Sequence, residues 1–152
     1  MKRLILYPLM GISMLTSAYV TSCEARSDEQ DQKGNLTIQD LVTYKANQHQ
    51  ILPSFAHAII TVESNYNIKA RNGSSVGLGQ IQCGTARNLG LEGKCSQLYD
   101  PDTNLEYAFQ YLKMAIDKAD GNLCHAATLY NRGLESIAKD SSYCKKVMKN
   151  IK

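Results

Sequence analysis

From residue 36 onward, apolar side chains return every three or four positions, and helix start and stop signals bound each run. This periodicity commits the chain to a helical body. Thr37 with Asp40 three residues on forms a capping-box pattern, and Leu36 and Leu41 stand at the staple positions. A first helix therefore runs to about His49. Pro53 suits the first turn of a second helix. Phe55, Ile59 and Val62 share one face of it, Glu63 lies in its last turn, and Asn65-Tyr66-Asn67 breaks the pattern. Asp100-Pro101-Asp102 opens a long helix carrying Leu105, Ala108, Leu112, Ala115 and Ile116, expected to end near Gly121. Asn122 caps another with Leu123, Ala126, Ala127 and Tyr130 inward, and Gly133 ends it. Tyr143, Val147 and Ile151 mark a last one. The exception is residues 71–84, rich in glycine and serine. Val76, Leu78 and Ile81 can bury there, so the stretch is a lobe with short extended pairing and not a linker. Thr85 to Leu89 is read as a single helical turn. The expected fold is mainly α, a compact helical bundle with one small irregular glycine-rich lobe and no internal repeats.

The N-terminus has a different character. Lys2 and Arg3 precede an apolar run containing Leu4, Ile5, Leu6, Leu9 and Ile12, and the small residues Ser17, Ala18, Thr21 and Ser22 follow. This is the pattern of a secretory signal, assigned to residues 1–22. Pro8, Gly11, Ser13 and Thr16 interrupt the run, which is shorter than the ~20 apolar residues of a membrane span. Residues 23–35 are polar and read as a flexible linker, which leaves 36–152 as the domain. The net charge of +3 owes two bases to the leader, so the remainder holds 15 basic and 14 acidic residues. No clustered basic face suggests nucleic acid as a partner. The tail lysines 145, 146, 149 and 152 read as a solvated helix face, with contact to anionic cell-wall polymer as the alternative.

Five cysteines add to the export reading. Val20-Thr21-Ser22-Cys23 resembles the lipobox of bacterial lipoproteins, which makes Cys23 a possible lipidation site and lipid anchor. The other four form an even set suited to two disulfides in an oxidising compartment. Locality pairs Cys83 with Cys95 and Cys124 with Cys144, across 11 and 19 intervening residues. There is no C-x-x-C spacing, and His49, His57 and His125 are scattered, so no metal site is expected. The glycine-rich loop lacks the Lys-Ser/Thr ending of a phosphate loop, and no cofactor is expected.

Three segments carry a family resemblance in order: Val62-Glu63-Ser64-Asn65-Tyr66-Asn67, Gly77-Leu78-Gly79-Gln80-Ile81 and Tyr130-Asn131-Arg132-Gly133. Together they resemble the catalytic domain of the soluble lytic transglycosylases, a goose-lysozyme-like group, over roughly residues 44–133. The stretch Asp100 to Leu105 is similar to the family's next region. The resemblance implies a lysozyme-like helical domain, a glycan groove, peptidoglycan glycan strands as substrate, and Glu63 as the acid that cleaves the β-1,4 MurNAc–GlcNAc bond. Proton donation to a glycosidic oxygen needs a carboxylic acid kept neutral by an apolar surrounding. Ile59, Ile60 and Val62 can supply one. No second acid stands near Glu63 in sequence. The family's substrate-assisted route, with one glutamate as acid then base and a 1,6-anhydroMurNAc product, accounts for that.

By the same carry-over Ser64, Gln80, Tyr130 and Asn131 are substrate-binding positions. Ser64 sits at the turn, and the Tyr130 hydroxyl is expected to reach Glu63 or the sugar N-acetyl group, or to pack in the core. Two departures stand out. Gly79 replaces a methionine, which removes an apolar groove contact, and Arg132 replaces an alanine, which places a bulky cation near the site, either to contact a peptide-stem carboxylate or to point outward. A hydrolytic muramidase on the same fold, and a non-catalytic wall-binding or secretion-assembly protein, remain alternatives. The expected location is the periplasm, with secretion or conjugation machinery as possible partners.

Overall fold

The structure, a computed structural model, describes residues 36–152. The readings of a signal at 1–22, a linker at 23–35 and lipidation at Cys23 lie outside the described residues. Within them the order is α1 (Ile38–Gln48), α2 (Pro53–Ser64), β1 (Arg71–Asn72), β2 (Ser75–Val76), β3 (Ile81–Gln82), α3 (Cys83–Asn88), a 3-10 turn (Cys95–Tyr99), α4 (Pro101–Lys118), α5 (Leu123–Arg132) and α6 (Ser142–Lys149). The three strands pair antiparallel in sequence order, Arg71 opposite Val76 and Ser75 opposite Gln82. Among the described residues no helix is long and apolar enough to cross a membrane.

The helices begin where side chains can satisfy their free N–H groups. Thr37 and Asp40 form the capping box of α1. Asp100 accepts from the Thr103 N–H at α4, Asn122 from His125 at α5, and Ser141 from Cys144 at α6. α2 has no side-chain cap and relies on Pro53 in its first turn. α4 ends at Lys118, three residues before the expected stop, because Asp120 and Gly121 both turn left-handed.

α4 is the spine. It packs against α1, α5 and the 3-10 turn, while α6 lies across α2 and α5. Phe55, Ile59 and Ile60 of α2 meet Leu105, Phe109 and Leu112 of α4, Leu129 of α5 and Val147 of α6 in one core without solvent exposure. Burying each such side chain stabilises the fold by roughly 1.5–3 kcal/mol relative to exposure. Two disulfides fasten the periphery. Cys83–Cys95 closes the irregular segment after the sheet, and Cys124–Cys144 ties α5 to α6.

The glycine lobe is held to the spine by one buried amide. Asn104 accepts from the Gly79 N–H at 2.8 Å and donates to the Val76 and Leu98 carbonyls at 2.9 and 2.8 Å. Only glycine permits that approach. A Cβ at Gly77 would lie 2.2 Å from the Asn104 Nδ2, and one at Gly79 would lie 2.4 Å from the Ala108 Cβ. This corrects the expected loss of a groove contact at Gly79. The position is buried against α4, so a side chain there has no room.

One ion pair is buried on α1. The Lys45 ammonium sits 2.7 Å from Glu106 and 3.3 Å from Asp102. Burial opposes its charge, and the two carboxylates outweigh that and raise its pKa. Burial likewise acts on Glu106 in the unfavourable direction, but Lys45 and Gln110 hold it down to about 2.

Two outcomes follow. Glu106→Gln should lower unfolding free energy at pH 7 by roughly 1–3 kcal/mol, the cost of removing a charged partner from a buried group. Because the folded-state pKa is depressed, this contribution is present above the ordinary glutamate value and fades as pH falls toward about 2. Urea titrations should therefore show the gap between wild type and variant closing with acid, and a gap constant down to pH 2 contradicts the assignment. Gly79→Ala should cost roughly 1–3 kcal/mol through overpacking, and Ala108→Gly in the same chain should restore part of it. No recovery in the double variant would mean the clash lies elsewhere.

Candidate active site

Glu63 occupies the last turn of α2 because the chain leaves the helix immediately after it. Asn65 adopts a left-handed cap and Tyr66 follows with φ 63°, so the backbone folds away and exposes the final turn. A hydrogen-bonded string steadies this exit. The Thr43 hydroxyl lies 2.8 Å from His57 Nε2, and His57 Nδ1 lies 2.7 Å from the Tyr66 hydroxyl. Burial pushes the His57 pKa down and so favours a neutral imidazole that bridges the two. Ser64 lines neither of the two hollows described below. Its hydroxyl donates to the Ile60 carbonyl at 3.3 Å, so it belongs to the helix end and not to the groove.

Two adjoining hollows of about 380 and 360 Å³ meet at Glu63, Asn72, Gln80 and Asn131. The first extends past Tyr111, Tyr130 and Arg132, and the second past Val62, Tyr143 and Lys146. The sheet and its loop thus form one wall, and the ends of α2, α5 and α6 form the other. Gln80 holds its place at φ 48° and donates from its amide to the Gly77 carbonyl at 2.9 Å. Asn131 is exposed on the opposite rim. Glu63 is the one acidic residue in either lining.

The carboxyl of Glu63 is poised between two influences. Burial raises its pKa, and a hydrogen bond donated by the Tyr143 hydroxyl to Oε1 at 2.6 Å acts in the opposite direction. Burial prevails, so the folded environment favours the neutral acid. Tyr143 remains a donor, because burial and the neighbouring Glu63 raise its own pKa far beyond the phenol range. The proton of Glu63 can then sit on the oxygen that Tyr143 does not occupy. A groove with a neutral carboxyl and uncharged amides around it can deliver a proton to an ether oxygen of a polar chain.

The expected reach of Tyr130 toward Glu63 or an N-acetyl group does not match the structure. Its hydroxyl donates to the Gly79 carbonyl at 2.6 Å, and the ring is buried beside Tyr111 at 5.6 Å between centroids. It fixes the glycine loop against α5. The phenol on Glu63 is Tyr143, which the sequence marks only as one of the spaced residues of the last helix. Asn104 was also passed over, although it lies inside the Asp100–Leu105 stretch singled out for its resemblance. The signal available was polar: an asparagine where the fourth residue of a buried helix would ordinarily be apolar.

Known proteins bear on this geometry. A family model described as the transglycosylase SLT domain matches residues 40–151. The soluble lytic murein transglycosylase of Escherichia coli (strain K12) is 32% identical over 114 residues, 70% of this chain and 18% of that protein. The chain thus spans about 18% of the length of the curated relatives it matches. Among solved structures, an inactive glutamate-to-glutamine mutant of the lytic transglycosylase Slt from Pseudomonas aeruginosa superimposes with a TM-score of 0.59 at 25% identity, covering 72% of this chain and 20% of that one. The 70 kDa soluble lytic transglycosylase of Escherichia coli gives 0.64 at 23% identity, covering 88% and 26%. With the family model covering most of its length, the chain belongs to the transglycosylase SLT domain family.

Proposed function

We propose that the protein is a peptidoglycan lytic transglycosylase that cleaves the β-1,4 bond between N-acetylmuramic acid and N-acetylglucosamine with Glu63 as its single acid and base. The observation that carries this reading is a carboxyl raised in pKa by burial, with a tyrosine donor on one oxygen, in a groove whose linings hold no other acid. The names of the relatives support the substrate, and the inactive glutamate-to-glutamine mutant of the Pseudomonas aeruginosa protein supports a glutamate as the essential group.

Glu63 gives its proton to the bridging oxygen as the C1–O bond of the muramic acid breaks. The N-acetyl carbonyl oxygen of the same sugar supports the electron-poor C1. Glu63, now a carboxylate stabilised by Tyr143, takes the proton of the C6 hydroxyl, and O6 bonds to C1. The acid is regenerated, no water is consumed, and the product carries a 1,6-anhydro ring. Gln80 and Asn131 supply amides to sugar hydroxyls across the groove. In the same reading the enzyme works in the periplasm after loss of residues 1–22. Residues 23–35 serve as a tether to the domain 36–152, with Cys23 as lipid anchor, and the enzyme opens the wall for a secretion or conjugation machine.

Glu63→Gln should retain the fold by circular dichroism and lose at least ~10²-fold in turnover, the lower range for general acid catalysis. Mass spectrometry of wild-type digests should find fragments lighter by one water than hydrolysed ones. Reducing muramic acid ends would instead make the protein a muramidase, and strand binding without any cleavage would favour the non-catalytic reading. Tyr143→Phe removes a bond that favours the ionised carboxyl. Its alkaline limb of kcat/KM should move to higher pH, with kcat reduced roughly tenfold as the carboxyl loses its support. A limb that stays in place or moves to lower pH would separate Tyr143 from the acid.

A further inference from the structure

Among the described residues the lysines held in ion pairs lie away from the groove: Lys45 with Asp102 and Glu106, Lys113 with Asp117, and Lys118 with Glu135. Two others line it. Arg132 borders the first hollow and Lys146 the second, one to each side of Glu63. Among the described residues neither side chain has a hydrogen-bond or ion-pair partner. The groove therefore offers two uncommitted positive charges, with uncharged Asn72, Gln80 and Asn131 between them. Both residues are exposed at the rim of the groove, where a cation without a partner favours an anionic ligand and a guanidinium suits a carboxylate in two-point contact.

We propose that Arg132 and Lys146 bind carboxylates carried on the lactyl ethers of muramic acid, one on each side of the scissile bond, so that the enzyme selects anionic glycan over neutral glycan. The proposal rests on the strand-cleaving function above. Muramic acid recurs at every second ring, so a strand running through both hollows brings one such group into each. The carboxylate has two sources, the free lactyl group of a denuded strand or the stem peptide of an intact one.

The test uses Glu63→Gln protein and tetrasaccharides of two repeats in three forms: peptide-bearing, denuded, and denuded with each lactyl carboxylate converted to a neutral amide. Binding by calorimetry should favour at least one carboxylate form over the amide by roughly tenfold, the scale of one charge-assisted hydrogen bond. Added salt should reduce that margin. Further substitution by Arg132→Gln and Lys146→Gln should abolish it, whereas Arg132→Lys with Lys146→Arg should keep most of it. A margin confined to the peptide-bearing form names the stem peptide as source, and one confined to the denuded form names the lactyl group. Equal affinity for all three forms, or a margin that survives loss of both charges, overturns the proposal. Wild-type cleavage of intact strands is read separately. Cleavage without a margin refutes only this proposal, and absence of cleavage refutes the function it rests on while the binding comparison still decides the role of the charges.

Discussion

The site depends on the amide of Asn104. It is buried to 1% exposure at the start of α4, and all three of its hydrogen bonds go to backbone groups of the glycine lobe and the 3-10 turn. The bonds to Gly79 and Leu98 are buried and the one to Val76 is part-buried. Losing the amide would strand the two buried groups at roughly 1–3 kcal/mol each. The clamp draws the lobe onto the spine until Gly79 touches Ala108, which fixes the Gly79 carbonyl where Tyr130 can donate to it. Gln80 follows in the chain and is delivered to the groove. A two-residue-per-strand sheet has little stability of its own, so this wall takes its rigidity from α4 and α5.

The opposite wall is built by helix ends. α2 contributes Glu63 in its final turn, and α6 contributes Tyr143 from a segment eighty residues away. The Cys124–Cys144 disulfide joins α6 to α5, one residue from Tyr143, so the donor on the acid and the rim residue Asn131 belong to one fastened unit. The carboxyl is thus controlled by groups brought together only in the folded state. In the proposed reaction that arrangement lets a single acid serve twice. Burial favours the proton before bond breaking, and the tyrosine steadies the anion afterwards.

Much of the fold was legible because its signals are local. The caps at Thr37, Asp100 and Asn122, the proline at 53 and the stop at Gly133 mark α1, α2, α4 and α5 to within a few residues. The lobe was legible as glycine mixed with buriable apolar residues. What stayed hidden depends on pairs distant in sequence. Tyr143 and Val147 share an inward helical face, and periodicity cannot tell a core phenol from one that meets a carboxyl. The motif left Tyr130 to the acid, the sugar or the core; its ring packs in the core and its hydroxyl spans fifty-one residues to a backbone carbonyl. The absence of a side chain at Gly79 read as a missing contact, because the close approach of α4 that excludes one leaves no trace in the local sequence.

Burial keeps the Glu63 carboxyl protonated beyond the ordinary glutamate range. This is tested most directly by a carbon-13 NMR pH titration of protein labelled at the glutamate side-chain carboxyl, with Glu63 assigned by its absence in Glu63→Gln. Its resonance should titrate above the usual value of 4.5. A midpoint at or below 4.5 would mean that Tyr143 outweighs burial and that the resting acid is ionised.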